Sequence, residues 1–99
     1  MLERDIESAV VKYARSKGFL AYKFTSPNNR SVPDRMFISP TGMVSFIEFK
    51  QKGKKLTKLQ YNVAMGLTDR NIDVRCVDDI ILGRLVIDAW LHDKYDSKI

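Results

Sequence analysis

Two acids stand alone in the basic middle of this chain. Between Lys12 and Lys58 there are eleven Lys or Arg residues and only two carboxylates, Asp34 and Glu48. They occur in Val32-Pro33-Asp34-Arg35 and in Phe46-Ile47-Glu48-Phe49-Lys50. Two carboxylates that converge repel each other unless a cation lies between them, and oxygen-only ligands favour Mg²⁺ or Mn²⁺ over zinc. A cation held within a positive field suits the binding and hydrolysis of a polyanion, which points to phosphodiester chemistry. Lys50 follows Glu48 by two residues and shares its face of a strand, within reach of the same phosphate.

The charge distribution sharpens this reading. The formal net charge is +5, yet the acids concentrate in the two ends of the chain and the cations in its centre. Lys52, Lys54, Lys55 and Lys58 follow directly on the candidate catalytic strand. Such lysines suit phosphate contacts, which add salt-sensitive affinity and position a duplex without reading its sequence. Arg30, beside Asn28 and Asn29, is a candidate for the other side of the same groove.

The elements that must position these groups follow from periodicity. Ile6, Ala9, Val10, Tyr13 and Ala14 form one apolar stripe, which predicts a helix over 3–16 with acids in its first turns and Gly18 as its stop. Phe19 to Thr25 reads as a strand, followed by a polar loop over 26–31. Arg35 to Ser39 and Met43 to Lys50 read as a hairpin turning at Pro40-Thr41-Gly42. This hairpin brings Asp34 toward Glu48. A helix from about Thr57 to Leu67, a strand from Ile72 to Val77 and a helix from about Asp79 to Tyr95, capped by Asp78, complete the chain. Asn71 is expected in a left-handed conformation between the second helix and the last strand.

The expected fold class is therefore α/β: a mixed β-sheet flanked by helices in the order α-β-β-β-α-β-α, its last strand reached by a right-handed crossover. Ninety-nine residues with 44% apolar content suit one small domain, 1–99, with a thin core. Cys76 is the only cysteine, so an intrachain disulfide and a cysteine-based zinc cage are excluded. His92 is likewise alone. No apolar run approaches the ~18 residues of a membrane span. A reducing, cytoplasmic location is expected. The last helix is apolar over most of its circumference, and this surplus predicts a homodimer.

These residues resemble the PD-(D/E)xK nuclease signature, here Pro33-Asp34 followed by Glu48-Phe49-Lys50, and the chain is similar specifically to the VRR-NUC family. The resemblance runs from Glu3, Glu7 and Gly18 through Lys23-Phe24-Thr25-Ser26-Pro27, Val32-Pro33-Asp34-Arg35 and Phe46-Ile47-Glu48-Phe49-Lys50 to Gln60. It implies a restriction-endonuclease-like fold. It also implies that Asp34, Glu48 and the Phe49 carbonyl hold Mg²⁺, with Mn²⁺ able to substitute. Lys50 would then orient or activate the attacking water, and Gln60 would touch that water or the phosphate. Either Glu3 or Glu7 matches a helical glutamate near the metal. Two loop positions depart from the family, Ser31 and Asn71, where glycine is common.

The resemblance, with the apolar last helix, implies a dimeric, Mg²⁺-dependent endonuclease selective for branched DNA such as Holliday junctions. A phage or mobile-element origin is consistent with so compact a nuclease. One rival is a non-catalytic module that clamps duplex nucleic acid with its basic middle. Another is a nuclease of the same fold that acts on single strands or RNA.

Overall fold

The computed structural model describes residues 1–92. Its elements are α1 (Glu3–Ser16), β1 (Leu20–Lys23), β2 (Arg35–Ile38), β3 (Val44–Phe49), α2 (Lys58–Thr68), β4 (Asp73–Val77) and α3 (Ile80–Leu91). The expected order is thus the observed one. Residues 93–95, expected to end the last helix, lie outside the described residues.

Local chemistry accounts for most element ends. Glu3 and Asp5 occupy the first turn of α1, where the helix dipole favours negative charge. Gly18, at φ +91°, turns the chain, and the Phe19 amide donates to the Ala14 carbonyl at 3.1 Å. Asn71 at φ 65° performs the same turn after α2. The cap of α3 differs from expectation. Asp79, extended at φ −155° and ψ 140°, accepts from the Leu82 amide, whereas Asp78 accepts from the Gly53 amide at 2.9 Å. An acid at either position can cap a helix; backbone direction selects the one whose carboxylate meets the first free amides.

The four strands lie in the order β1-β2-β3-β4. β1 and β2 pair antiparallel, as do β2 and β3, while β3 and β4 pair parallel across the α2 crossover. Side-chain alternation then divides β3 into two sets. Ser45, Ile47 and Phe49 face one way, with Ile47 and Phe49 in the core. Phe46 and Glu48 face the other way, also buried. Expected strand ends shrink by one or two residues. Phe24, just past β1, still donates its amide to the Asp34 carbonyl at 2.8 Å and stacks obliquely on Phe46.

The core fills the space between the sheet and the α1/α3 pair. Ile6, Val10 and Ala14 of α1 meet Val86, Ile87 and Trp90 of α3 over Phe37, Ile47, Phe49 and Val77. The Trp90 indole donates to Asp73 at 2.9 Å, so the largest core side chain is also satisfied. The opposite sheet face is covered less completely: Leu20, Tyr22 and Val44 are all exposed.

Gly83 marks the closest approach of α3 to its neighbours. A Cβ there would collide with Val10 and sit 3.2 Å from Val77 Cγ1. Gly83→Ala should therefore lower stability by about 1–3 kcal/mol despite the higher helix propensity of alanine. Urea titration would reveal it as a reduced midpoint at unchanged slope.

Candidate active site

The hairpin register puts the two isolated acids opposite each other. Arg35 pairs with Ile47 in the antiparallel β2–β3 ladder. One step outward along the same register, Asp34 faces Glu48. Directly opposed residues project from the same side of a sheet, with their Cβ atoms about 5 Å apart. That side is the one opposite the α1/α3 core.

Several contacts hold Asp34 in this position. Its carbonyl accepts from Phe24, and its carboxylate Oδ2 accepts from the Phe49 amide at 3.2 Å. Pro33 fixes its own φ and biases Val32 toward extended backbone. Glu48 is only 6% exposed, and its Oε2 accepts from the Gln60 side-chain amide at 3.2 Å. Lys50 Nζ stands 4.0 Å from the same oxygen. The Lys50 amide donates to the Val77 carbonyl, which ties the end of β3 to β4.

Gln60 reaches Glu48 because it is built into the start of α2. Thr57 and Gln60 form a reciprocal capping box: the Gln60 amide meets Thr57 Oγ1, and Gln60 Oε1 accepts from the Thr57 amide at 3.0 Å. One end of the Gln60 carboxamide is thereby locked. Its Nε2 is left pointing at the carboxylate. The Thr-x-x-Gln spacing at 57–60 is the sequence signal for this orientation.

The charges explain the electrostatics. Burial pushes the Glu48 carboxyl up to about 7; the neighbouring Asp34 and Glu3 charges add to this, and Lys50 opposes it. Asp34 is also raised, chiefly by burial and further by the Glu7 charge, although the Phe49 amide and the Lys50 charge pull it back. Glu3 is raised by desolvation and by the Asp34 charge, and lowered by Lys50. The first glutamate of α1 thus shares the field of the pair. Glu7, one turn later, forms an ion pair with Arg35 at 2.6 Å. Both helical candidates therefore stand in the field of the pair, and Glu7 also anchors α1 to β2 through Arg35.

The basic residues fall into two groups. Lys54, Lys55 and Lys58 line a groove at the start of α2, together with Leu56, Tyr61 and Cys76. Lys52 turns aside to Asp79 at 3.4 Å. Arg30 is exposed in the loop between β1 and β2. Cys76 is partly buried and its thiol is raised, mainly by burial.

No three His, Cys, Asp or Glu side chains among the described residues form a ready-made metal cage. The donor set is two carboxylates. Mg²⁺ accepts such a set, since it keeps several waters and takes one or two carboxylates with substrate phosphates. A desolvated Glu48 whose carboxyl is raised further by the Asp34 charge is also an arrangement that a counter-cation would relieve.

A chain described as a VRR_NUC domain superposes with a TM-score of 0.82, covering 89% of this chain and 96% of that one at 20% identity. The fold is that of a VRR_NUC domain. Among curated sequences, "Putative nuclease p44" of Acyrthosiphon pisum secondary endosymbiont phage 1 is 45% identical over 58 residues. That match spans 59% of this chain and 62% of the relative. No family model matches the chain. No helix among the described residues of this VRR_NUC fold is long and apolar enough to cross a membrane.

The raised Glu48 carboxyl gives a signed pH dependence. Without metal, the folded state binds this proton more tightly than the unfolded chain, whose carboxyl has the ordinary value of 4.5. This stabilisation is complete below 4.5 and lost as pH rises through about 7. The expected swing is on the order of 3 kcal/mol at most. Thermal unfolding in a chelator should show the midpoint falling across that window, with Glu48→Gln flattening the profile.

Proposed function

We propose that this protein is a Mg²⁺-dependent nuclease that hydrolyses phosphodiester bonds in DNA, with Asp34, Glu48 and Lys50 as its catalytic residues. The observation that carries the reading is the cross-strand opposition of Asp34 and Glu48, with Lys50 and Gln60 both directed at the Glu48 carboxylate. The VRR_NUC fold and the phage relative named as a nuclease support it.

The chain's own groups divide the work. Asp34 and Glu48 hold the ion, with the Phe49 carbonyl as a third protein oxygen. When bound, the ion supplies Lewis acidity toward the scissile phosphate and acidifies the attacking water. Gln60 orients Glu48 through the amide end that its capping role leaves free. Lys50 places a compact ammonium beside the phosphate, where it offsets charge that grows as water adds and a sugar oxygen departs. Glu3 brings a further carboxylate to the edge of the pair. Lys54, Lys55 and Lys58 hold phosphates away from the scissile bond.

We assign the substrate as branched duplex DNA and the working unit as a homodimer. Support for the dimer comes from α3, where Ile81, Leu82 and Leu85 are 69%, 41% and 60% exposed in consecutive turns. An apolar ridge of this kind on a small domain suits self-association. A two-fold dimer presents two sites related by symmetry, which suits paired cuts in a symmetric junction.

Labelled four-way junctions incubated with and without Mg²⁺ test the activity. Asp34→Ala or Glu48→Ala should reduce cleavage by roughly 100-fold or more while junction binding persists. Undiminished metal-dependent cutting by either variant would refute the assignment. Sizing of Leu85→Glu tests assembly separately: it should elute as a monomer where the parent elutes as a dimer.

A further inference from the structure

The groove at the start of α2 has a composition that simple phosphate contact does not explain. Its walls are Leu56, Cys76 and Tyr61, and its rim is Lys54, Lys55 and Lys58. Its volume is about 640 Å³. A track for duplex phosphates needs only the lysines. Here an aromatic ring, 54% exposed, lines the same concavity. α2 buries none of its residues, so Tyr61 is not held by the core. Asp78, the one acid in the lining, has its carboxylate engaged with the Gly53 amide, which keeps the lysine loop against β4.

The groove also adjoins the carboxylate pair. Cys76 is the parallel-ladder partner of Glu48. Partners in adjacent strands share a face and lie about 5 Å apart across the sheet. Tyr61 follows Gln60, whose side chain bonds Glu48. A strand with one phosphate at Asp34 and Glu48 would therefore have its neighbouring nucleotide over Cys76.

We propose that this groove receives an unpaired nucleotide next to the scissile phosphate, with its base stacked on Tyr61 and its flanking phosphates held by Lys54, Lys55 and Lys58. Stacking on an aromatic ring is tolerant of sequence because every base has a π-face. A base still paired in a duplex cannot enter, so the groove selects DNA whose strand is open at the cut, as it can be at a branch point. The inference rests on the nuclease reading for its position beside the scissile phosphate, and its test does not require cleavage.

The experiment compares dissociation constants for a blunt duplex and for the same duplex carrying a short single-stranded tail of either polarity. Fluorescence anisotropy in Ca²⁺ at fixed salt reads binding without turnover. The wild type should favour the tailed duplex. Tyr61→Ala should weaken tailed binding by about tenfold and blunt binding by less than about twofold. Tyr61→Leu, which keeps apolar bulk without a π-face, should show the same loss, and Tyr61→Phe should retain wild-type affinity. Equal losses on both duplexes, or no loss for both Tyr61→Ala and Tyr61→Leu, would overturn the proposal. A tail-specific loss in a protein that cuts no DNA would leave the groove standing and remove the nuclease reading. Cutting without a tail-specific loss would do the reverse.

Discussion

The constraint on which this molecule turns is a pair of desolvated carboxylates facing each other across one step of an antiparallel ladder. Such an arrangement is unfavourable in isolation, because burial and mutual repulsion both oppose ionisation. It persists because the neighbours of Glu48 in β3 are anchored on the other face of the sheet. Ile47 and Phe49 are fully buried in the core on either side of it. A one-residue slip would exchange the faces, placing Glu48 in the apolar core and those two side chains outside. The hydrophobic core thus sets the register, and the register creates the electrostatic site.

That dependence explains what the sequence alone made legible. Strand alternation and a short turn are local properties, so the meeting of Asp34 with Glu48 and the common face of Lys50 could be read directly. The same holds for α1, whose stripe includes Ile6, Val10 and Ala14, all buried as its spacing implies. That Glu7 rather than Glu3 would pair with Arg35 was not legible. Both lie near one face of a helix, and only the packing of α1 across the sheet decides that Arg35 meets the second. The cap of α3 was similarly degenerate, since Asp78 and Asp79 are equally good capping types.

Other features escaped because they belong to surfaces rather than elements. The apolar surplus was visible in α3 by composition. The exposed sheet face bearing Leu20, Tyr22 and Val44 was not, because alternation says which residues share a face but not whether a helix covers it. Gly83 was silent for a related reason. A glycine inside a helix reads as a propensity defect, and its close approach to Val10 exists only once α1 and α3 pack.

The acids outside the basic middle complete the argument from charge. Asp73 accepts from the Trp90 indole and from Arg75. Asp88 accepts from the Tyr13 hydroxyl, Asp79 caps α3, Asp78 fixes the lysine loop, and Glu7 holds Arg35. Each joins two elements or finishes one, and each faces a donor that suits an ionised carboxylate. For Asp73 and Asp79 those donors hold the carboxyl below its ordinary range. Asp34 and Glu48 also accept hydrogen bonds, but they face each other, Glu48 buried and Asp34 half-buried, and lie above their ordinary pKa. Around Asp34 and Glu48, and at Glu3 on the edge of the same cluster, the surroundings oppose ionisation, which is the imbalance that a divalent cation would relieve.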